Sequence, residues 1–351
     1  MIAAYDANTG KEAWRFYTIP GPGEPGNESW GNNSWEHGGA PAWLTGSYDP
    51  DLNLIYWGTG NPGPDFNAAQ RPGDNLYSDS VVALDADTGK LKWHFQFTPN
   101  DPYDYDSTQI PVLVDREWSG SQRKLMMWAN RNGFFYVLDR TNGKFLRGRS
   151  YTPVNWASAL DDQTGRPIRT PQPVGQPTYP GALGATNWYS PSYSPRTGLF
   201  YVSAWENYAG MFAEGEPIAF VPGQNYTGGG GLGPPPGTAA MPGMQRGPIN
   251  TWNEGNARGL VIAIDPQTGD RKWTYTMHDV NTSGILTTAS DLLFVGGREG
   301  YFHALDARTG ALLWKATVGG ETAAAPMTYQ VDGKQYVAIA AGHSLFTFGL
   351  R

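Results

Sequence analysis

The sequence predicts an all-β fold, a β-propeller of about five to six blades, and three observations carry that prediction. Composition is the first. The 351 residues include 46 Gly and 28 Pro, yet 39% are hydrophobic and 13% aromatic. Short strands joined by turns, with Trp and Tyr between sheets, fit this better than a disordered chain does. The second is a repeated hairpin motif. The third is that no stretch spaces its apolar residues as an amphipathic helix would.

The repeat reads apolar–x–Asp–x–x–Thr–Gly, with Trp eight residues after the Asp. It occurs in "AAYDANTGKEAW" (3–14), "VALDADTGKLKW" (82–93), "IAIDPQTGDRKW" (262–273) and "HALDARTGALLW" (303–314). "YVLDRTNGKFLR" (136–147) is a degraded copy with Arg147 in place of the Trp, and "YSPRTGLFYV" (193–202) keeps the turn alone. Alternating apolar residues before the Asp make one strand. The Asp side chain caps backbone N–H groups of the turn, and Gly takes the positive φ that the turn needs. The following strand brings a Trp to pack between sheets.

Between the copies lie further strand candidates: "LNLIYWGTG" (52–60), "KLMMWAN" (124–130), "GLFYVSAW" (198–205), "LLFVGG" (292–297) and "QYVAIAAG" (335–342). A unit of roughly four strands that recurs with variable insertions reads as a propeller blade. Residues 1–351 are therefore expected to form a single, partial propeller domain. The Gly/Pro-rich stretch 221–248 is read as a loop insertion running over the surface.

The net charge of −7 and the absence of any basic patch argue against nucleic acid as a partner. No run approaches the roughly 18 apolar residues of a membrane helix. Cysteine is absent, which removes thiolate catalysis and zinc–thiolate sites. The start, "MIAAYDANTG", has neither the basic region nor the apolar core of a signal peptide.

Three stretches occur in order: "GGAPAWLTGSYDPDLNLIYWGTGNPGP" (38–64), "RPGDNLYSDSVVALDADTGKLKW" (71–93) and "TPNDPYDYDSTQIPVLVD" (98–115). With the tryptophan-docking repeat, "NRNGFFYVLDR" (130–140) and "GATNWYSPSYSP" (184–195), they resemble the pyrroloquinoline quinone (PQQ)-dependent methanol/ethanol dehydrogenases. The resemblance implies a quinoprotein-type propeller, normally eight-bladed, with the cofactor on its axis. It implies oxidation of a small primary alcohol to an aldehyde, a calcium or lanthanide ion, and a separate electron acceptor such as a cytochrome c. It also implies a periplasmic location.

Site residues follow from the same resemblance. Trp43 aligns with the tryptophan under the quinone plane, and a flat indole suits stacking. Asn61 aligns with an amide that binds the metal, a neutral oxygen suited to a hard cation. Asp104 aligns with the catalytic base and metal ligand. Asp106 matches the extra carboxylate of the lanthanide-dependent branch. If the stretch is extended, Asp104 and Asp106 would face one ion, because alternate strand residues point the same way. Arg131 aligns with an arginine at the quinone oxygens, and Asn187 and Trp188 with residues at the cofactor rim. Asp101 is expected to be a solvated turn acid, and the five histidines structural.

The resemblance starts partway along the family's propeller. It lacks a region that in relatives holds the first blades, an adjacent-cysteine disulfide and a glutamate metal ligand. Ring closure with fewer blades and open edges that drive self-association into a homo-oligomer both stay open. So does a truncated, non-catalytic propeller serving as a binding or scaffold module.

Overall fold

A computed structural model describes residues 1–172, 176–231 and 258–349. Among the described residues six antiparallel blade sheets follow one another along the chain, with two smaller two-stranded sheets besides. Blade 1 pairs Ile2–Tyr5 with Glu12–Phe16. Blade 2 holds Ser47–Asp49, Leu54–Gly58, Ser80–Asp85 and Leu91–Gln96. Blade 3 holds Val112–Trp118, Ser121–Ala129, Phe134–Asp139 and Lys144–Ser150. Blade 4 holds Ser192–Ser194, Leu199–Glu206, Arg258–Ile264 and Arg271–Thr276. Blade 5 holds Ile285–Thr287, Leu292–Val295, Tyr301–Asp306 and Leu312–Thr317. Blade 6 holds Met327–Val331, Lys334–Ala341 and Ser344–Gly349. Blades 1 and 6 are not hydrogen-bonded to one another. Helical structure among the described residues is confined to 3-10 turns such as Gly31–His37.

Period-2 alternation builds the layers between blades. On blade 3, Met126, Trp128, Tyr136 and Leu138 face blade 2, while Leu125, Met127, Phe135 and Val137 face blade 4. Such strands are buried on both faces, which is why they read as continuous apolar runs. Comparable layers join blades 1 and 2 through Ile2 and Leu84, blades 4 and 5 through Tyr201 and Leu293, and blades 5 and 6 through Phe302 and Ile339.

The Asp turns form as their chemistry requires. Asp85 Oδ1 accepts the Thr88 N–H at 3.0 Å and its hydroxyl at 2.8 Å, and Gly89 sits at φ +67°. Pairing slips by one residue just before the turn, between Ala83 and Leu84, and likewise between Ala263 and Ile264 and between Ala304 and Leu305. These are bulges that sharpen the local twist. The Trp of three copies docks on the turn Gly of the next blade. Trp14 packs on Gly89 and donates its Nε1–H to Ala86 O at 2.9 Å; Trp93 packs on Gly143, and Trp273 on Gly310.

One copy escapes the sequence pattern. "DDQTG" (161–165) closes a two-stranded sheet of Ala157–Leu160 and Pro167–Arg169, with Asp161 capping Thr164. Its strands are short and no Trp follows; Phe145 takes the docking place on Gly165.

The Gly/Pro-rich stretch 221–248 is described only to residue 231. Its described part is held down on the segment that follows Asn61. Gly229–Gly231 pairs with Phe212–Glu214, and Thr227 O accepts the Phe66 N–H at 2.8 Å. Just ahead of the stretch, His37 stacks on Phe220 with centroids 3.8 Å apart, and Gln70 pairs its amide with Ile218 O at 2.6 Å and Ile218 N at 3.1 Å.

Candidate functional site

The acidic stretch is a turn, not a strand. Asp101 is fully buried, and its two oxygens accept the N–H groups of Tyr103 at 2.8 Å and Tyr105 at 2.5 Å. The expectation of a solvated acid fails here. The carboxylate is the scaffold of the turn, and Arg71, also buried, donates to the Asp101 carbonyl. Wound around Asp101, the chain places Asp104 in the left-handed region at φ +63°. Strand alternation therefore does not aim Asp104 and Asp106.

The two carboxylates converge all the same, through Arg131. Its Nη1 donates to Asp106 Oδ2 at 2.6 Å, its Nη2 lies 3.4 Å from Asp104 Oδ2, and its Nε donates to Ala182 O at 2.8 Å. The guanidinium side chain is only 5% exposed. Asp106 Oδ1 accepts the backbone N–H of Asn61 at 2.9 Å, while the Asn61 side chain turns its Nδ2 to Pro62 O at 3.4 Å, so Asn61 meets the carboxylates through its main chain. Gly60 is needed beside it: a Cβ there would collide with Asp106 Oδ1. Gln109 completes the frame, donating to Asp106 O at 3.0 Å and accepting from Trp128 Nε1 at 3.1 Å.

Electrostatics follow from burial. Burial pushes the Asp104 carboxyl well above its usual range; Arg131 opposes this, while Asp106 and Asp101 reinforce it. For Arg131, burial pulls the pKa down but Asp106 and Asp104 outweigh it, and the net shift is upward. Two acids of this region went unremarked in the sequence. Asp65 is pushed up to about 6, by burial first; the Asn61 amide and Arg71 oppose the shift, and Asp106 and Asp101 add to it. Asp79 is fully buried with both oxygens unpartnered among the described residues, and burial holds its carboxyl well above the usual range.

A cavity of about 390 Å³ opens on the other side of Arg131. Trp43, Asn187 and Trp188 line it together with Arg131, so all four residues expected at a cofactor share one wall system. Trp43 is 44% exposed and Trp188 39%, unlike a blade-packing tryptophan such as Trp128 at 0%. Asn187 is oriented by its Nδ2 donating to Leu183 O at 2.9 Å. Blades 4 to 6 supply Trp205, Thr282, Arg298 and Glu321, which sequence reading did not single out. Trp205 comes from the strand Leu199–Glu206 and the others from loops at different blade ends, and only the curvature of the propeller brings them together.

The donor chemistry fits the expected groups. A cavity lined by the indoles of Trp43, Trp188 and Trp205 and by the guanidinium groups of Arg131 and Arg298 suits an aromatic, anionic ligand. Two carboxylates drawn together, with the Asn61 residue hydrogen-bonded to one of them through its backbone, offer oxygen donors of the kind a hard cation takes. Among the described residues no three His, Cys, Asp or Glu side chains are grouped to hold a metal, so a cation here would draw on the two acids, with Asn61 beside them through its backbone. The histidines stand apart from it: His37 stacks on Phe220, and His94 packs edge-on to Tyr77.

Comparison with known proteins gives a consistent picture. Residues 1–176 and 275–337 match the family described as the PQQ glucose/ethanol/alcohol dehydrogenase β-propeller domain. The quinoprotein alcohol dehydrogenase PedH of Pseudomonas putida is 37% identical over 97% of this chain and 58% of its own length. The quinohemoprotein alcohol dehydrogenase of Comamonas testosteroni is 39% identical over 97% of this chain and 49% of its own length. The crystal structure of the Comamonas enzyme superposes with a TM-score of 0.86 at 36% identity, over 98% of this chain and 52% of that one. A europium-containing methanol dehydrogenase superposes with a TM-score of 0.83 at 32% identity, over 96% of this chain and 60% of that one. The chain thus spans about half the length of the curated relatives it matches. No helix among the described residues is long and apolar enough to cross a membrane.

Proposed function

The chain belongs to the PQQ glucose/ethanol/alcohol dehydrogenase β-propeller family, and on that premise we propose that it carries the site for PQQ- and metal-dependent oxidation of primary alcohols to aldehydes. One observation supports this above the others. Arg131 lines the indole-walled cavity and also bridges Asp104 and Asp106, so a cofactor space and a candidate base share one side chain.

Trp43 would hold the plane of PQQ, Arg131 its quinone oxygens, and Asn187 and Trp188 its rim. Asn61, Asp104 and Asp106 would hold calcium or a lanthanide ion. When bound, PQQ supplies the two-electron acceptor for the hydride of the alcohol carbon, and the cation supplies Lewis acidity. The chain's own part is proton transfer and positioning. Asp104 accepts the hydroxyl proton of the alcohol at its carboxylate, leaving aldehyde as the product. Asp104 needs to be ionised for this. Burial works against ionisation, while Arg131 and a bound cation work for it. Electrons then pass to a separate acceptor, a cytochrome c by analogy with the family, in a periplasmic setting.

The test is reconstitution of the purified chain with PQQ and either Ca²⁺ or La³⁺, followed by dye-linked oxidation of primary alcohols. Metal-dependent turnover is expected. Dye reduction that is the same with and without PQQ and metal would refute the assignment.

A further inference from the structure

We propose that Arg131 sets the cation affinity of the Asp104–Asp106 pair, because its guanidinium and the cation contend for the same carboxylate. This rests on the reading of Asn61, Asp104 and Asp106 as cation ligands. The chain's own donors already engage both oxygens of Asp106: Asn61 N–H on Oδ1 at 2.9 Å and Arg131 Nη1 on Oδ2 at 2.6 Å. Nη2 of the same guanidinium reaches Asp104 Oδ2 at 3.4 Å. A single positive charge thus spans both acids that would ligate the ion.

The guanidinium is not free to swing aside. Its Nε is fixed to Ala182 O at 2.8 Å, and its stem packs on Gly184, which sits at φ +80° and has no room for a Cβ. A cation that ligates Asp106 therefore either displaces Nη1 from Oδ2 or binds beside a buried like charge. Both routes weaken binding, the first by direct exchange and the second by repulsion in a poorly screened site. The coupling is reciprocal, so cation binding must also loosen the Arg131–Asp106 bond. Arg131 accordingly acts on the ion through its effect on Asp106, as a residue that determines affinity.

Terbium(III) titration by luminescence, on the full chain, tests this in the wild type, Arg131→Gln, Arg131→Lys and Asp106→Asn. Removing the guanidinium is expected to tighten Tb³⁺ binding about tenfold or more, the scale of one charge interaction at a buried site. Arg131→Lys, which keeps the charge, should stay near the wild type, and Asp106→Asn should lose the site. Arg131→Gln leaves a buried carboxylate unpaired, so it should melt earlier without added cation, and La³⁺ should raise its Tm more than that of the wild type. That Tm comparison reads the proposal even if the variant is only marginally folded. Equal or weaker Tb³⁺ binding in Arg131→Gln, or equal La³⁺ shifts in Tm, would overturn the inference while leaving the metal site standing. Failure of every variant and the wild type to bind Tb³⁺ would overturn the metal site and this inference together.

Discussion

Trp93 lies against Gly143, the glycine of the next blade's turn, so closely that a methyl group there would sit 2.5 Å from the indole Cε3. The contact joins two requirements in one residue: a left-handed backbone at φ +75° and an empty Cβ position. Gly143→Ala is expected to destabilise the chain by about 2–4 kcal/mol, from backbone strain plus overpacking. Gly198 shares the backbone, at φ +71°, but has nothing within 4 Å of a Cβ. Gly198→Ala should lose only about 1 kcal/mol, the backbone part. Urea denaturation of the two variants separates docking from turn geometry.

Asp101 holds the turn that presents the candidate base. Its two oxygens take two backbone N–H groups, and the Asn in Asp101→Asn has only one oxygen to offer. The variant is expected to lose about 1–3 kcal/mol for the orphaned donor and to displace Asp104. Chemical denaturation checks the first effect. Loss of turnover in protein that is still folded checks the second.

Asp65 gives the pH dependence of stability a sign. Its folded carboxyl, pushed up to about 6, binds its proton more tightly than the unfolded chain does. Folding gains from this at low pH, and the gain is lost as pH rises from the unfolded value of about 4 through 6. Asp65→Asn should flatten that slope and stabilise the chain at pH 8 by ~1–3 kcal/mol. Thermal melts at pH 5 and pH 8 read the difference, and a variant that melts lower than the parent at pH 8 would contradict it.

Asp104 is the proposed proton acceptor. Asp104→Asn should keep the fold, since the side chain is 28% exposed and its ion pair with Arg131 is long at 3.4 Å. Turnover in the reconstituted protein should fall by about 10²–10⁴-fold, the usual worth of a positioned base. Tm and turnover measured side by side check both halves.

Much of this fold was legible because the repeat encodes its own geometry. The Asp cap, the positive-φ Gly and the alternating strand each leave a local mark, and they predict the hairpins of blades 1, 2, 4 and 5. "DDQTG" at 161–165 went unseen because Phe145, from the preceding hairpin, replaces the missing Trp on Gly165, and that substitution is visible only in three dimensions. The site divides in the same way. Trp43, Arg131, Asn187 and Trp188 were expected together and do share a cavity. Their neighbours Arg298 and Glu321 carry no motif of their own and arrive by blade curvature. Asp101 was misread because its charge speaks for solvent, whereas two backbone donors and a neighbouring arginine make burial tolerable. Asp104 and Asp106 were expected to converge by strand alternation. They converge instead because a left-handed turn and one guanidinium draw them together.

The most direct test of the account is a PQQ titration of the purified chain in the presence of La³⁺, followed by quenching of tryptophan fluorescence, with Trp43→Ala in parallel. The account predicts saturable binding of one PQQ per chain, dependent on the cation and weakened by about 1.5 kcal/mol or more, at least tenfold, when the Trp43 stacking face is removed. Absence of saturable binding, or binding of equal strength in Trp43→Ala, would contradict the claim that this cavity is a quinone site.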